Sequence, residues 1–356
     1  MKLRLTFLIL SIFICARLNA QKIDLDRAYA TYAYTLLPTA PLPPEYKTFN
    51  VSATLNSSAS NVSTAEIEDR ASIAGFQKIN KGTKADLSLY LTFGDFMIDG
   101  AEVKERVEIV KDKAGKETGR KYYYWSVITY SFSGSMRLAN NVLGKDLLNN
   151  VLQSPSSKST HSSSEYANRA DAAGYWNNNK EAIKSKLLTD AIKGRVDQAS
   201  NTLTNLYGYR QTKYNYLIWF QGEKKHPEYE LNNKMIEQLK TAALSIKANQ
   251  PITPEIKENF KPVIDYFKDV KVRFNKDEKT DKKMRYSAFF NLGFIYVMLE
   301  DYTNARKEAD GLFENDYDKK DSKDIIKEID YAEGQMKTNN TNTRHFVNPR
   351  VPADTL

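Results

Sequence analysis

The chain has 356 residues, of which 41% are hydrophobic and 12% aromatic, and its formal net charge is +8. This length allows two or three domains with hydrophobic cores, and the apolar content excludes a largely disordered chain. The positive charge is spread over segments that also carry aspartate and glutamate, and it is not gathered in one basic block. We therefore expect no nucleic-acid partner.

The first twenty residues have the pattern of a secretory signal peptide. Two basic residues, Lys2 and Arg4, lead into an apolar run at 5–14. The sequence Leu-Asn-Ala that follows is compatible with cleavage between Ala20 and Gln21. The pattern predicts that the mature chain begins at Gln21 and is exported from the cytoplasm.

A transmembrane anchor and a lipoprotein signal are the alternative interpretations of this leader. A membrane span needs about twenty apolar residues, whereas Arg17 interrupts the run after roughly ten. A lipoprotein signal needs a small residue before its cysteine, but Ile14 precedes Cys15. We therefore favour soluble export, to the periplasm or to an outer-membrane-associated location. Cleavage would remove three basic residues and so lower the net charge from +8 to about +5. It would also remove the single cysteine.

The first half of the mature chain, 21–222, has mainly strand-like periodicity. Strands are expected at 29–37, 47–55, 85–93, 103–111, 121–138 and 214–220, and a long amphipathic helix at 177–206. The glycine-containing, charged segment between the fourth and fifth of these strands predicts a hairpin loop. A serine-rich segment at 153–168 is expected to be a loop too polar to pack. The pattern predicts an α+β domain, with a mostly antiparallel sheet and helices on one face.

The predicted strand 121–138 is unusually aromatic. Its apolar, inward face is expected to comprise Tyr122, Tyr124, Ile128, Tyr130, Phe132, Met136 and Leu138. Tyr123 and Trp125 would then point to the opposite side, beside threonine and serine hydroxyls. Exposed rings in such a setting can stack on sugars, which makes these two residues candidates for glycan binding. The competing interpretation is that the helix at 177–206 covers this face.

No arrangement of residues indicates catalysis, a cofactor or a metal site. His161, His226 and His345 stand apart, lack metal-ligand spacing and are expected at the surface. The sequence has neither a phosphate-binding glycine motif nor a nucleophile elbow. Asp95 and Asp99 could act as an acid–base pair, but their context is more typical of a turn at a strand end. We therefore predict a protein that is not an enzyme and uses no cofactor.

The second half, 229–337, has helical periodicity throughout. Helices are expected at 229–248, 254–274, 280–299, 302–314 and 321–336, and the short connections predict antiparallel neighbours. The polar tail at 338–356 is expected to be disordered. The nearly unbroken apolar run of twelve residues at 288–299 would span only about 18 Å as a helix, which is too short for a bilayer.

One segment of this half, 286–316, carries a specific spacing of large, small and aromatic residues. The spacing is formed by Phe289, Leu292, Gly293, Tyr296, Tyr302 and Ala305. It resembles the tetratricopeptide repeat, a two-helix unit that stacks into arrays with concave binding surfaces. The segment departs from that pattern at Ala309 and Leu312, where the repeat has an aromatic and a small residue, and it lacks the closing proline.

Together these features predict an exported, non-enzymatic scaffold for protein–protein interaction in the cell envelope. The concave face of the helical array, or the edge of the sheet, would hold a protein partner. The alternatives are a glycan- or peptidoglycan-binding module that uses Tyr123 and Trp125, and a hydrolase with carboxylate chemistry. The Ala–Gln junction and the composition rich in lysine, asparagine and tyrosine resemble exported Bacteroidetes cell-envelope proteins.

Overall fold

The computed structural model describes residues 23–56 and 62–348. The strands are β1 (Leu25–Leu36), β2 (Thr48–Leu55), β3 (Gln77–Lys78), β4 (Leu87–Lys111), β5 (Glu117–Asn140), β6 (Lys145–Gln153), β7 (Ser159–Ser162) and β8 (Arg210–Gln221). The helices are α1 (Thr64–Arg70), α2 (Arg169–Tyr207), α3 (Tyr229–Ser245), α4 (Pro254–Arg273), α5 (Lys279–Met298), α6 (Tyr302–Glu314) and α7 (Lys320–Thr338). The predicted α+β class, with a helical C-terminal half, is confirmed.

Two sequence predictions concern the membrane and the leader. Within the two described ranges, no helix combines the length and the apolar character needed to cross a bilayer. The predicted signal peptide, with its cleavage site between Ala20 and Gln21, lies outside the described residues.

The chain divides into two compact units. The sheet unit comprises Ala40–Gly208, and the helical unit comprises the described residues up to Thr39 together with Tyr209–Asn348. This division differs from the boundary expected near residue 222, because β1 and β8 pair with each other and pack on the helices that follow. Sequence periodicity identifies these segments as strands, but it carries no information on which layer they join.

The sheet unit is built on one mixed sheet with strand order β3-β2-β4-β5-β6, and β7 pairs with β5. The pairing is parallel around β2 and antiparallel elsewhere. Alternate apolar residues of β4 and β5 pack with α1 and α2 in one core, including Leu89, Leu91, Phe93, Ile128 and Phe132. The alternation expected for half-buried strands explains this arrangement.

Strands β4 and β5 extend well past this core as a two-stranded hairpin arm, residues 102–125. The pairing continues to Lys111 opposite Glu117, so the predicted hairpin is confirmed. The predicted inward face is correct at Ile128 but wrong at Tyr122, which is 45% exposed. Helix α2 begins beside Ser126, whose hydroxyl donates to the carbonyl of Ala172 at 2.6 Å. Residues nearer the tip of the arm therefore lie beyond the N-terminal end of α2.

Two segments that were expected to be irregular belong to the sheet. The predicted turn around Asp95 is wrong, because β4 continues through a bulge at which Asp95 adopts φ 53° and accepts a 2.7 Å hydrogen bond from Ser133 Oγ. The serine-rich segment was expected not to pack. It instead contains β7, and the hydroxyl of Ser163 accepts from the N–H of Ser126 at 2.9 Å. A serine hydroxyl thus accepts a hydrogen bond from a backbone N–H that would otherwise need a carbonyl partner.

The helical unit contains the five-helix array α3–α7, in which each helix packs on the next and α5 also packs on α7. The sequence predicted these helices with end positions within a few residues. Strands β1 and β8 form a two-stranded ribbon that packs against α3 and α5. An apolar core runs through the ribbon and all five helices.

The residues of the 286–316 spacing lie between helices. Phe289 is half-buried and the other five are buried. A Cβ on Gly293 would lie 2.7 Å from Ile325 Cδ1, so this glycine permits the close approach of α7. The close contact between α5 and α6 occurs at Gly311, where a Cβ would lie 2.3 Å from the ring of Phe289. Gly311 is not part of the predicted repeat spacing.

The prediction of a disordered tail is wrong for 338–348. The N–H of Thr35 donates to the carbonyl of Arg344 at 2.9 Å, and the N–H of Phe346 donates to Ala248 O at 3.2 Å. The side chains of Arg344 and His345 are fully buried. A polar composition favours disorder, but hydrogen bonds to Thr35, Ala248 and Glu300 hold this segment in place. Residues 349–356 lie outside the described part of the chain.

Candidate functional site

The outer edge of β8 is held by an asparagine from the helical array. β1 and β8 pair antiparallel from Leu25 opposite Gln221 to Leu36 opposite Arg210. In such a pair, alternate residues turn their N–H and C=O groups away from the other strand. Trp219 is one of these: its N–H donates to Asn291 Oδ1 at 2.9 Å, and its carbonyl accepts from Asn291 Nδ2 at 2.7 Å.

Two further asparagines hold the end of the same edge. The N–H of Gln221 donates to Asn232 Oδ1 at 2.8 Å, and the carbonyl of Gln221 accepts from Asn233 Nδ2 at 3.3 Å. Asn232 and Asn291 are both buried, so these bonds are shielded from water. Helices α3 and α5 thus hold an extended segment through its backbone, independently of its side chains.

The same edge continues without partners toward the start of β8. Leu217 is two residues before Trp219 and Asn215 is four, so their N–H and C=O groups also face away from β1. Among the described residues, these backbone groups have no hydrogen-bond partner. The edge is therefore satisfied at its far end and open in its middle.

This open edge lines a cleft of about 490 Å³ within the helical unit. Helix α5 contributes two aromatic rings to the cleft, and α7 contributes a largely polar wall. The lining residues are Tyr29, Tyr214, Asn215, Tyr216, Leu217, Phe290, Phe294, Asp321, Asp324, Lys327, Glu328 and Tyr331. The cleft thus combines aromatic surface, open backbone groups and carboxylates.

The wall from α7 is an acidic stripe, formed by Asp321, Asp324 and Glu328. These residues follow one another at spacings of three and four, which places them on one face of the helix. Asp321 accepts a hydrogen bond from the hydroxyl of Tyr286. None of the three carboxylates forms an ion pair with a described residue. Lys327 is the one basic residue among the lining residues that the structure describes.

A buried charged centre lies on the β1 side of the helical unit. The Arg344 guanidinium is fully buried, with Cζ 4.5 Å from the ring centroid of Tyr34. Its Nε lies 3.4 Å from Glu300 Oε1, and the same oxygen accepts from the Arg344 backbone N–H at 2.8 Å. Thr343 Oγ1 donates to the other carboxylate oxygen at 2.6 Å. Glu300 therefore anchors the chain segment that was expected to be disordered.

Burial governs the ionisation of this centre. Burial alone would lower the pKa of Arg344, but the oxygens of Tyr32 and Tyr302 and the charge of Glu300 outweigh it and raise the pKa. Burial also raises the pKa of Tyr32, so both tyrosine and arginine keep their protons at neutral pH. The contacts of this centre are packing and charge pairing, and they hold the segment around Arg344 in place.

Two of the three histidines contradict the expected surface location. His226 and His345 are buried, and burial lowers the pKa of each. His226 Nδ1 accepts from the N–H of Glu228 at 3.1 Å, and His345 Nδ1 lies 3.0 Å from the carbonyl of Lys247. His161 is partly exposed, with Nε2 3.0 Å from the hydroxyl of Tyr175. Within the described ranges, no group of acidic, histidine and cysteine side chains is placed to hold a metal ion.

The candidate glycan-binding residues lie in the hairpin arm, in the other unit. Tyr123 and Trp125 are half-buried and share a face, opposite to Ser126, at which α2 begins. The helix therefore does not cover this face, contrary to the competing interpretation. The guanidinium of Arg106 lies 4.3 Å from the ring centroid of Tyr123 and pairs with Glu165 at 2.9 Å. One face of the Tyr123 ring is thus already in contact with a cation.

None of the residues that line the cleft was a predicted site residue. The acidic stripe had a readable signal, because three carboxylates at helical spacing occupy one face of a predicted helix. Asn232 and Asn291 had none, since an asparagine inside an amphipathic helix gives no indication of a strand beside it. The order of the ribbon and helices, which creates the cleft, is a tertiary property.

Comparisons with known proteins leave the family open. No family model matches the sequence, and no curated protein matches it. Among solved structures, the chain is similar to an uncharacterised lipoprotein B from Nitrosomonas europaea, determined in solution by NMR. The identity is 13% over 49% of this chain and 96% of that chain, and the TM-score is 0.20. A likeness at this level carries no argument about function.

Proposed function

We propose that this chain is a non-enzymatic, exported scaffold that binds partner proteins in the cell envelope, and that the cleft of the helical unit is its binding site. The single observation that carries the proposal is the open edge of β8 at Asn215 and Leu217. Addition of an extended segment to an exposed strand edge is a general mode of peptide recognition, in which main-chain hydrogen bonds supply affinity.

The neighbouring part of the same edge supports this mode of binding. At Trp219 the array already satisfies outward-facing backbone groups with an asparagine side chain. At Asn215 and Leu217 the corresponding groups face the cleft, so a partner strand can supply the missing donors and acceptors. The rings of Phe290 and Phe294 would form an apolar floor for that strand.

The array itself fits a scaffold. We interpret α3–α6 as two tetratricopeptide-like units and α7 as the helix that closes the stack. A single unit cannot bury its apolar face, and neighbouring units supply the rest of the core. In this interpretation the ribbon occupies the surface beside α3 and α5, and the cleft beside α7 remains for a partner. The export to the envelope rests on the leader pattern that ends at Ala20.

Glycan binding through Tyr123 and Trp125 is the weaker candidate. Stacking on a sugar needs an accessible ring face, and Arg106 already lies over Tyr123. Only Trp125 would remain to stack, and one ring on a two-stranded arm forms a poor platform. We therefore place the partner site in the cleft.

Two proline variants of the full chain test the edge. Thr31 and Asn215 are opposite each other in the ribbon, and their side chains share one 2.6 Å hydrogen bond. Asn215→Pro removes the N–H that faces the cleft, whereas Thr31→Pro removes an outward N–H on the other edge. Both variants lose the same side-chain hydrogen bond and neither loses a hydrogen bond between β1 and β8, so they are matched.

Peptides that bind the wild-type chain would be selected from a displayed random library and their affinities measured by fluorescence anisotropy. We expect Asn215→Pro to weaken binding roughly tenfold or more, equivalent to about 1.4 kcal/mol, and Thr31→Pro to leave it near the wild-type value. Circular dichroism would establish that both variants fold. Equal binding to the two variants, or a library that yields no binder, would overturn the proposal.

A further inference from the structure

The cleft is chemically asymmetric across the position that an added strand would take. On one side is the edge of β8, with the uncharged residues Tyr214, Asn215 and Leu217. On the other is the acidic stripe of α7. The floor from α5 carries no charge, because it is formed by phenylalanine rings.

We propose that the cleft selects an extended peptide segment that carries a lysine or arginine side chain, and that the acidic stripe receives this cation. The inference rests on the proposed function, since it specifies the partner for the same cleft. Its basis is charge complementarity: three carboxylates without ion-pair partners among the described residues face one lysine.

The geometry of an added strand determines which of its side chains meet the stripe. Successive side chains of a strand point to opposite sides, so alternate residues of a bound segment would face α7. Asp324 is exposed and Glu328 is half-buried, and both line the cleft. A cation there would be partly removed from water, where a charge-assisted hydrogen bond to a carboxylate is stronger than at an open surface.

Aromatic residues near the stripe complete the site. Tyr214 and Tyr331 line the cleft and are 43% and 50% exposed. The aliphatic stem of a lysine or arginine can pack on such rings while its charged end reaches the carboxylates. Ring faces also attract cations directly. An uncharged or acidic side chain would gain neither of these charge interactions.

Lys327, the basic residue of the cleft lining, weakens the attraction of the acidic stripe for a cation but does not cancel it. Lys327 precedes Glu328 on α7, and it is exposed. One positive charge faces three negative charges, so the cleft keeps a net negative charge. An acidic peptide would be repelled, which adds discrimination beyond the gain for a basic one.

The test uses the full chain and three short capped peptides. Each peptide alternates threonine and valine, and the central residue is lysine, glutamine or glutamate. We expect the lysine peptide to bind roughly tenfold more tightly than the glutamine peptide, and the glutamate peptide more weakly than both. The advantage of lysine should shrink as salt is raised from 50 to 500 mM, because partly exposed charges are screened.

The variant that should abolish this preference is Asp324→Asn with Glu328→Gln. We expect it to bind the lysine and glutamine peptides equally, at the affinity that the wild type shows for glutamine. The matched control is Asp310→Asn with Glu314→Gln on α6, where both carboxylates are exposed and unpaired among the described residues. The control changes the net charge equally and should keep the wild-type preference.

The possible results separate the two proposals. If the wild type binds lysine and glutamine peptides equally, the cation inference is overturned while strand binding stands. If the control loses the preference as fully as the α7 variant, the effect is one of net charge and the acidic stripe is not the site. If neither these peptides nor any library peptide binds, both proposals fail.

Discussion

The two units of the chain place their charges differently. In the described residues of the sheet unit no charged side chain is buried, and ion pairs such as Arg70 with Asp197 have both partners more than 40% exposed. The helical unit instead buries Arg344 completely beside Glu300, whose side chain is only 10% exposed. Both units have large apolar cores. The difference therefore lies in what the polar groups contribute.

This contrast indicates how each unit responds to change. An exposed ion pair contributes about 0–1 kcal/mol, so the stability of the sheet unit depends mainly on apolar packing. Removal of one partner of a buried pair costs about 3–5 kcal/mol, because it leaves the other charge buried and uncompensated. The helical unit should thus be sensitive to single polar substitutions and to pH, and the sheet unit should not.

The largest expected effect follows from Glu300→Gln. The substitution keeps the shape of the side chain but removes the only carboxylate that pairs with Arg344 among the described residues. We expect a loss of about 3–5 kcal/mol in the free energy of unfolding of the helical unit. Hydrogen exchange followed by mass spectrometry, resolved by peptide, should show faster exchange in 209–348 and no change in 40–208.

The matched control for this substitution is Glu314→Gln. Glu314 is exposed at the end of α6 and has no ion-pair partner among the described residues. Its replacement should change the free energy of unfolding by less than about 0.5 kcal/mol. If the two variants show the same hydrogen exchange, the Arg344–Glu300 pair does not make the helical unit more sensitive to polar substitutions than the sheet unit.

A smaller effect is expected from acid. The folded pKa of His226 and of His345 is lowered by burial, so below the ordinary value of 6.5 the unfolded state binds more protons. The stabilisation is complete above pH 6.5 and is lost as the pH falls through the folded pKa. Protonation of His226 at Nδ1 would also break the hydrogen bond that Nδ1 accepts from the N–H of Glu228, because a protonated nitrogen cannot accept. The helical unit should therefore be less stable at pH 5.5 than at pH 7.5.

Tryptophan fluorescence can follow each unit separately in urea. Trp219 belongs to the helical unit, and Trp125 and Trp176 belong to the sheet unit. In a Trp125→Phe, Trp176→Phe background, the urea midpoint should fall between pH 7.5 and 5.5. In Trp219→Phe it should not, because the sheet unit has no buried histidine among its described residues. Equal shifts in the two backgrounds would contradict the histidine explanation.

The sequence predicted local structure far better than it predicted the environment of particular residues. Apolar periodicity identified the helices of the array and both strands of the ribbon, because each element has one buried face. Periodicity does not indicate which residues far apart in the sequence are in contact. It therefore could not predict that β1 pairs with β8 or that Arg344 lies beside Glu300. His226 and His345 were expected at the surface, but both are buried. The candidate site is lined by residues of β1, β8, α5 and α7, which only the tertiary structure brings together, and this explains why the sequence missed it.

The smallest effect is expected in the sheet unit, at the hairpin arm. Val107, Ile109 and Tyr122 are apolar yet between 43% and 49% exposed, because they lie beyond the start of α2. Residues that pack on no core contribute little to the free energy of unfolding. Joining Arg106 to Tyr123 through an Asn-Gly turn would remove the outer arm and keep the pair of Arg106 with Glu165.

We expect this shortened variant to unfold within about 0.5 kcal/mol of the wild type in urea. Phe132→Ala, in the core of the same unit, is the positive control and should cost about 3–5 kcal/mol. A loss above about 1.5 kcal/mol in the shortened variant would mean that the arm stabilises the unit. The contrast would then no longer hold, because the sheet unit would depend on contacts outside its apolar core.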